Sequence, residues 1–377
     1  MELSQQSGTS TPQKMDQRTD SIPALSSLLF PGWKRRLTSL RTDAWVIIGA
    51  AYALFIFAYV FPRSADSQGF RLALDWSTFM IQTFQFHIGL GLAGIAVIAL
   101  FAKQFRMAIA LSPVLLVALG PAATTYLPAG FNGPTNSVYA ASPNELATTK
   151  TEPTLRVMSV NVLRTNQNRE GVIDQIKQVD PDVAVISEYT PFWHEAVEPA
   201  LLPTHPHHFF KTRLDGFGIA IYSKQPFTDE VKFVSWGKDL APQPMVALKI
   251  GDQDVKLFGI HLLPPTRPLN YQAQRSQLNA LIPMIEEIDG PVILAGDFNL
   301  HTTSPQFHAF TQIGLVDGFD TAGYGREWTW PVSPMAAFVS MRLDHVLMSH
   351  ELVCHEIRRG EARGSDHYPV IAEIGLR

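Results

Sequence analysis

Eight polar residues stand at the ends of short apolar runs in the C-terminal part of this chain. Asn161 closes LRVMSVN, Glu188 closes DVAVISE and His261 closes VKLFGIH, while Asp297 and Asn299 close PVILAGDFN. Asp344 opens DHVLM, and Asp366 and His367 stand just before YPVIAEI. Carboxylates and imidazoles exchange protons, and carboxylate oxygens also suit a hard divalent cation. Side chains at strand ends can meet at one sheet edge on a rigid scaffold, which is what a preorganised site requires. Singly these residues say little: Asp-Phe-Asn is usually a turn, Asn161 a strand-end cap and Glu188 a solvated end. Their shared placing carries the argument.

The frame for them is an alternation of short apolar runs with helix-like stretches. Strands are expected at 155–160, 182–187, 218–222, 245–250, 255–260, 291–295, 343–348 and 368–374. Helices are expected at 169–179 and 271–288, the second with Leu278, Leu281, Ile282 and Ile285 at helical spacing. Many strands with few helices point to two packed sheets flanked by helices.

Asn161 in SVNV, Glu188 in ISEY, His261 in GIHLLPP, Asp297 and Asn299 in GDFN, Asp344 in RLDHVLMS, and Asp366 and His367 in GSDHYP follow a known order. The series resembles the endonuclease/exonuclease/phosphatase family, which includes DNase I-like nucleases, neutral sphingomyelinases and inositol-polyphosphate phosphatases. GDFN and SDH are weak alone; all six elements in family order, each at a strand boundary, are specific. The resemblance covers 155–374 and implies a four-layered α/β sandwich. It also implies hydrolysis of a phosphate ester with Mg²⁺ (or Mn²⁺) as cofactor.

A phosphate ester is anionic, so its hydrolysis needs a cation against developing charge and a base to activate water. On this resemblance Glu188 is the principal metal ligand, with Asn161 and Asp366 beside it. Asp297 is placed as general base. Asn299, two residues on, points to the same side of an extended chain and can donate to the nucleophile or the phosphoryl oxygens. His261 and His367 would stabilise the charged pentavalent state, with Asp344 holding one imidazole in its tautomer. The competing reading makes Asp344 a strand cap paired with Arg342.

From 155 to 377, 19 Lys and Arg face 26 Asp and Glu, a net charge of −7. Binding nucleic acid mainly through its phosphates would favour the opposite sign, and no Lys/Arg-rich insertion is present. A lipid head-group ester is the substrate the N-terminal region favours, with a nuclease as the alternative. A catalytically inactive binding module is the rival of another class, but it would not need Asp297 and Asn299 together.

Residues 1–43 read as a polar tail that turns basic at Lys34, Arg35, Arg36 and Arg41. Uncharged apolar runs at 44–61, 81–102 and 107–126 each approach the ~20 residues needed to cross about 30 Å of hydrocarbon. Three transmembrane helices are therefore expected across 44–126. Gln82, Gln85 and His87 near the start of the second suit an interfacial or helix-packing role. Lys34, Arg35, Arg36, Arg41, Lys103 and Arg106 fall on one side, against Arg63 and Arg71, which Asp66 and Asp75 offset. The cation excess places the N-terminus in the cytoplasm. Three crossings then deliver the catalytic domain, 155–377, outside it, tethered to the plasma (inner) membrane by the Pro/Gly/Ser/Thr-rich linker 127–154. The bilayer and a phosphate ester are the partners expected.

Other residues invite weaker readings. Cys354, the single cysteine, reads as a buried small hydrophobe. His205, His207 and His208 match no zinc spacing and read as a surface loop around Pro203 and Pro206. Trp328 with Trp330, and Phe192 with Trp193, are candidates for a substrate rim or for packing.

Overall fold

The computed structural model describes residues 33–64, 66–124, 153–235, 241–323, 328–333 and 339–377. The chain divides into two compact units, Met1–Gly49 and Ala50–Arg377. The tail before Trp33 and the linker, apart from Pro153 and Thr154, lie outside the described residues. Four helices come first: α1 (Trp33–Val60), α2 (Gly69–Thr83), α3 (Gln85–Phe101) and α4 (Phe105–Thr124).

Two six-stranded sheets follow. In spatial order the first holds β11 (Leu352–Arg359), β12 (Val370–Leu376), β1 (Thr154–Asn161), β2 (Val183–Ser187), β4 (Ile219–Ser223) and β3 (His207–Lys211). The second holds β5 (Lys232–Val234), β6 (Gln243–Ile250), β7 (Gln253–His261), β8 (Val292–Asp297), β10 (Asp344–Met348) and β9 (Val316–Asp317). Each sheet contains one parallel pair, β1 with β2 and β7 with β8, and all other neighbours are antiparallel.

The two-residue period of a strand decides what each face meets. In β2, Val183 and Val185 join the core shared by the two sheets. Ala184 and Ile186 pack instead with Val172 and Ile176 of α5 (Arg169–Val179) and with Trp193 and Val197 of α6 (Pro191–Leu201). In β8, Ile293 and Ala295 turn to the shared core, and Val292 and Leu294 to Tyr271, Leu278 and Leu281 of α7 (Pro268–Glu286). Three apolar clusters thus separate helix, sheet, sheet and helix. This is the expected mixed α/β sandwich.

Several elements lie where none was expected. α6 starts where Thr190 accepts from the Trp193 N–H at 3.3 Å and Pro191 takes the first helical turn. β5, β9, β11 and the short helices α8 (His308–Gln312) and α9 (Gly318–Ala322) are likewise additions. The histidine run is not a surface loop: His207 and His208 open the edge strand β3, and His205 is buried with Nε2 2.8 Å from the Pro181 carbonyl. Cys354 is buried in β11, and burial pushes its thiol pKa up.

The N-terminal helices depart from three straight spans. Among the described residues one stretch, Phe105–Ala123 of α4, is long and apolar enough to cross a bilayer alone. The apolar part of α1, Trp45–Val60, falls short of the ~20 residues required. The expected second span is broken at Phe84, where α2 and α3 meet at a 62° bend. The cause lies in α2, whose Leu72 and Phe79 are buried in the cluster that holds Tyr271 and Leu278 of α7. Trp76 Nε1 donates to the Pro265 carbonyl at 2.8 Å, Arg275 to that of Ser64 at 2.8 Å, and the Thr303 hydroxyl to that of Gln82 at 2.9 Å. The start of the expected span is thereby drawn onto the sandwich. Three straight spans are corrected to one, accompanied by a bent pair and a shorter helix.

Gln82 and Gln85 serve helix packing. Gln82 Nε2 donates to the Ala58 carbonyl at 2.9 Å, and the Tyr59 hydroxyl donates to Gln85. At Gly89 a Cβ would lie 2.8 Å from that of Ala118, so α3 and α4 approach only because the residue is glycine.

Phe79 makes α2 part of the folded unit, so Phe79→Ala is expected to cost about 3–5 kcal/mol. The near-UV thermal transition of the full chain in detergent should move down. An unchanged midpoint would show that α2 folds independently of the sandwich.

Candidate active site

The strand directions gather the polar residues. β1, β2, β7 and β8 carry Asn161, Glu188, His261 and Asp297 at or just past their C-terminal ends. The antiparallel β10 starts at the same edge, with Asp344 directly opposite Asp297, and His367 lies just before β12. Gly296 must be glycine here, because a Cβ would fall 1.8 Å from the Ile260 carbonyl oxygen. Glu188 and Asn299 sit in the left-handed region, at φ +59° and +49°, strained conformations that aim their side chains.

Asn161 Nδ2 donates to Asp297 Oδ2 at 3.0 Å and to Glu188 Oε1 at 3.2 Å, while its own Oδ1 accepts from the Leu163 N–H at 3.0 Å. As placed, Asn161 ties two carboxylates together and turns its oxygen away from them. Glu188 Oε2 accepts from the Arg164 N–H at 2.8 Å. Asp297 Oδ1 accepts from the Asn299 N–H at 2.9 Å, and Asn299 Nδ2 donates to the Leu262 carbonyl at 3.0 Å. Asn299 therefore positions Asp297 through its backbone N–H and keeps one amide hydrogen beside the cavity it lines.

The second group is Asp344–His367–Asp297. His367 Nδ1 donates to Asp344 Oδ2 at 2.8 Å, and its Nε2 lies 3.8 Å from Asp297 Oδ2. His261 Nε2 lies 3.8 Å from the same oxygen. Arg342 does not pair with Asp344; it lies 3.3 Å from Asp317 and 3.4 Å from Asp320.

Burial lowers the pKa of His367, but the carboxylates of Asp344 and Asp297 outweigh it and push the imidazole up to about 10. His261 lacks so close a carboxylate, and burial pushes it below the ordinary histidine value. Burial also raises Asp297 above the usual carboxylate range, against the opposing pull of His367 and His261. One imidazole is therefore held charged and the other neutral beside a single carboxylate.

Glu188, His261, Asp297, Asn299, Asp366 and His367 all line one cavity of about 420 Å³. Trp330 belongs to its rim and donates from Nε1 to Asp366 Oδ2 at 3.2 Å. Trp328 packs instead under the Arg359 guanidinium, Trp193 is core, and Phe192 is exposed on α6. Sequence reasoning passed over Arg164, which lines the cavity three residues after Asn161, and Phe217, whose ring lies 5.2 Å from that of His261. It also passed over Ser365, inside the GSDH motif, whose hydroxyl donates to the Asn161 carbonyl at 2.7 Å and accepts from the His367 N–H at 3.1 Å. Thr329 Oγ1 accepts from the Leu343 and Asp344 N–H groups at 2.9 and 3.0 Å, and no motif marks it.

Two sets of oxygens could hold a cation. Asp297, Asp344 and His367 offer ligand atoms within 4.8 Å of one another. An ion there would have to displace the His367–Asp344 hydrogen bond and sit against a charged imidazole. Glu188 and Asp366 would not displace that bond, although both Glu188 oxygens already accept hydrogen bonds; Asp344 Oδ1 and Asp366 Oδ1 are each buried without a hydrogen-bond partner among the described residues. An orphaned carboxylate oxygen in a cavity that a second carboxylate also lines suits a hard cation.

His367 gives a signed test. A histidine whose folded pKa is raised contributes stability fully present below its ordinary value and lost as pH rises through the folded one. The thermal midpoint difference between wild type and His367→Gln is therefore expected to be largest below about pH 6.5. It should shrink as pH passes about 10. A difference independent of pH would show that His367 is not held charged.

No curated protein matches this chain. Several solved structures are similar to part of this chain. An endonuclease/exonuclease/phosphatase from Beutenbergia cavernae is 20% identical over 59% of this chain and 72% of its own, with a TM-score of 0.47. A humanized D. rerio TDP2 is 17% identical over 59% of this chain and 99% of its own, TM-score 0.49. The 3′ phosphatase NExo from Neisseria, bound to a product DNA hairpin, is 18% identical over 58% and 98%, TM-score 0.48. The sequence model described as Endonuclease/Exonuclease/phosphatase family matches residues 158–367, more than half of the chain, and the chain belongs to that family.

Proposed function

We propose that the chain is a membrane-tethered, divalent-metal-dependent phosphoesterase that cleaves a phosphodiester or phosphomonoester outside the cytoplasm. The observation that carries this is one cavity lined by two carboxylates, Glu188 and Asp366, and by the Asp297–His367 end of the Asp297–His367–Asp344 chain. Mg²⁺ or Mn²⁺ bound by Glu188 and Asp366 would supply positive charge against the phosphoryl oxygens. Asp297 accepts the proton of the attacking water, and its raised pKa suits that task. The water oxygen bonds to phosphorus as the ester oxygen leaves. His367, kept charged by its two carboxylates, stabilises the anionic pentavalent state, and neutral His261 donates a hydrogen bond to it. Asn161 and Asn299 hold Glu188 and Asp297 in place.

Membrane tethering is supported by the helices before the sandwich. α3 and α4 expose Val97, Ile98, Phe101, Ile109 and Leu116, a surface that suits lipid. α3 has 17 residues, at the short end of what spans hydrocarbon. With α4 as one crossing and the α3 arm of the bent pair as a second, α2 stays on the outer side against the sandwich, and Lys103 and Arg106 between them stay in the cytoplasm. That arrangement puts the cations between α3 and α4 on the inner side, as the positive-inside rule favours.

Glu188→Gln is expected to abolish hydrolysis and weaken divalent-ion binding while leaving the thermal midpoint close to wild type. Full activity in excess chelator would sink the metal dependence. For topology, protease added to spheroplasts should remove the catalytic domain and spare an epitope inserted between Lys103 and Arg106. Protection of the catalytic domain would reverse the assignment.

A further inference from the structure

Phe79, Met80, Thr83 and Phe84, at the bend between α2 and α3, line the same cavity as Glu188, Asp297 and His367. All four lie outside the segment that matches the family, 158–367. We infer that this elbow is a substrate subsite and that its occupant is the apolar chain of an amphiphilic phosphate ester. The inference rests on the phosphoesterase reading and narrows its substrate.

The wall is built rather than loosely apposed. Phe79 is 1% exposed, with its ring 5.1 Å from that of Tyr271. Trp76 and the Gln82 carbonyl are hydrogen-bonded to Pro265 and Thr303 on either side of the elbow. Three of the four side chains offer only apolar surface to whatever lies beside the phosphate. The fourth, Thr83, brings a buried hydroxyl with no hydrogen-bond partner among the described residues. A buried hydroxyl left unpaired is costly, and an ester or ether oxygen between head group and chain would satisfy it. Beyond Phe84 the chain continues directly into α3, whose Leu90, Val97 and Ile98 are exposed. An alkyl chain leaving the cavity along the elbow would run toward that exposed apolar surface.

A single-stranded nucleic acid could also stack on Phe84, Phe217 and Trp330. Such binders pair their aromatics with a positive groove that tracks the phosphates. This cavity presents Glu188, Asp215, Asp297 and Asp366 with Arg164 as its arginine. One phosphate can be served by Arg164 and His367; a run of phosphates meets mostly carboxylates.

The test is equilibrium binding by calorimetry, with the full chain in phosphatidylcholine nanodiscs and ethyl, hexyl and decyl phosphonate as probes. Each methylene that enters the wall adds affinity, so Kd is expected to fall roughly tenfold or more from ethyl to hexyl phosphonate. In the M80Q/F84Q pair this dependence should shrink to about threefold or less, whereas M80L/F84L should retain it. Partition into lipid is common to all three proteins and cancels between them. Equal affinity for ethyl and hexyl phosphonate in the wild type would overturn the subsite. So would an unchanged dependence in a folded M80Q/F84Q. If that pair fails to fold, the wild-type dependence decides. Turnover of bis(p-nitrophenyl) phosphate with Mg²⁺ or Mn²⁺ is measured alongside. Its absence would remove the phosphoesterase reading, while the phosphonate series would still judge the wall.

Discussion

The hydrogen bond from the Asn161 amide to Asp297 joins the polar ends of two sheets whose shared core is apolar. Both residues are 1% exposed, so the bond works in a medium of low dielectric, and either partner left alone would be a costly buried polar group. It sets where Asp297 sits, and Asp297 in turn fixes the distances to His261 and His367. The sandwich contributes direction: two parallel pairs end, and one antiparallel strand begins, at the same edge. Because the shared core is close-packed, a shift between the sheets would be felt first at this bond.

The two active-site histidines show how position overrides residue type. Both are buried, and burial alone would hold both neutral. Asp344 makes the difference, since its carboxylate is hydrogen-bonded to His367 and not to His261. Thr329 holds the backbone of Asp344 from a separate segment, and Ser365 links His367 to the carbonyl of Asn161. The charge on one imidazole is thus decided by residues from several distant parts of the chain.

Much of this architecture could be read before any coordinates. The long apolar strands were legible because both faces are buried, and α7 was legible because Leu278, Leu281, Ile282 and Ile285 recur at helical spacing. β3, β5 and β9 are short or lie at sheet edges, where packing imposes little pattern. The eight polar residues were legible as a set, and the structure gathers them at one edge. What their donors are spent on was not legible: Asn161 and Asn299 both turn their amides to structural partners. α2 was hidden for another reason. Hydropathy counts residues 81–84 into the apolar run that follows, yet Thr83 and Phe84 line a cavity, and the bend at Phe84 has no signature in composition.

The docking of α2 on α7 bears on how this catalytic domain could move between proteins during evolution. The segment recognisable as the family stops well short of the working unit. Cut at Leu155, it would lose Phe79 from its packing with Tyr271, leaving a patch of bare core where α2 had lain. The reaction chamber would also stand open on one flank. A sandwich packed in this way keeps its apolar wall only where it travels with the helix that precedes it.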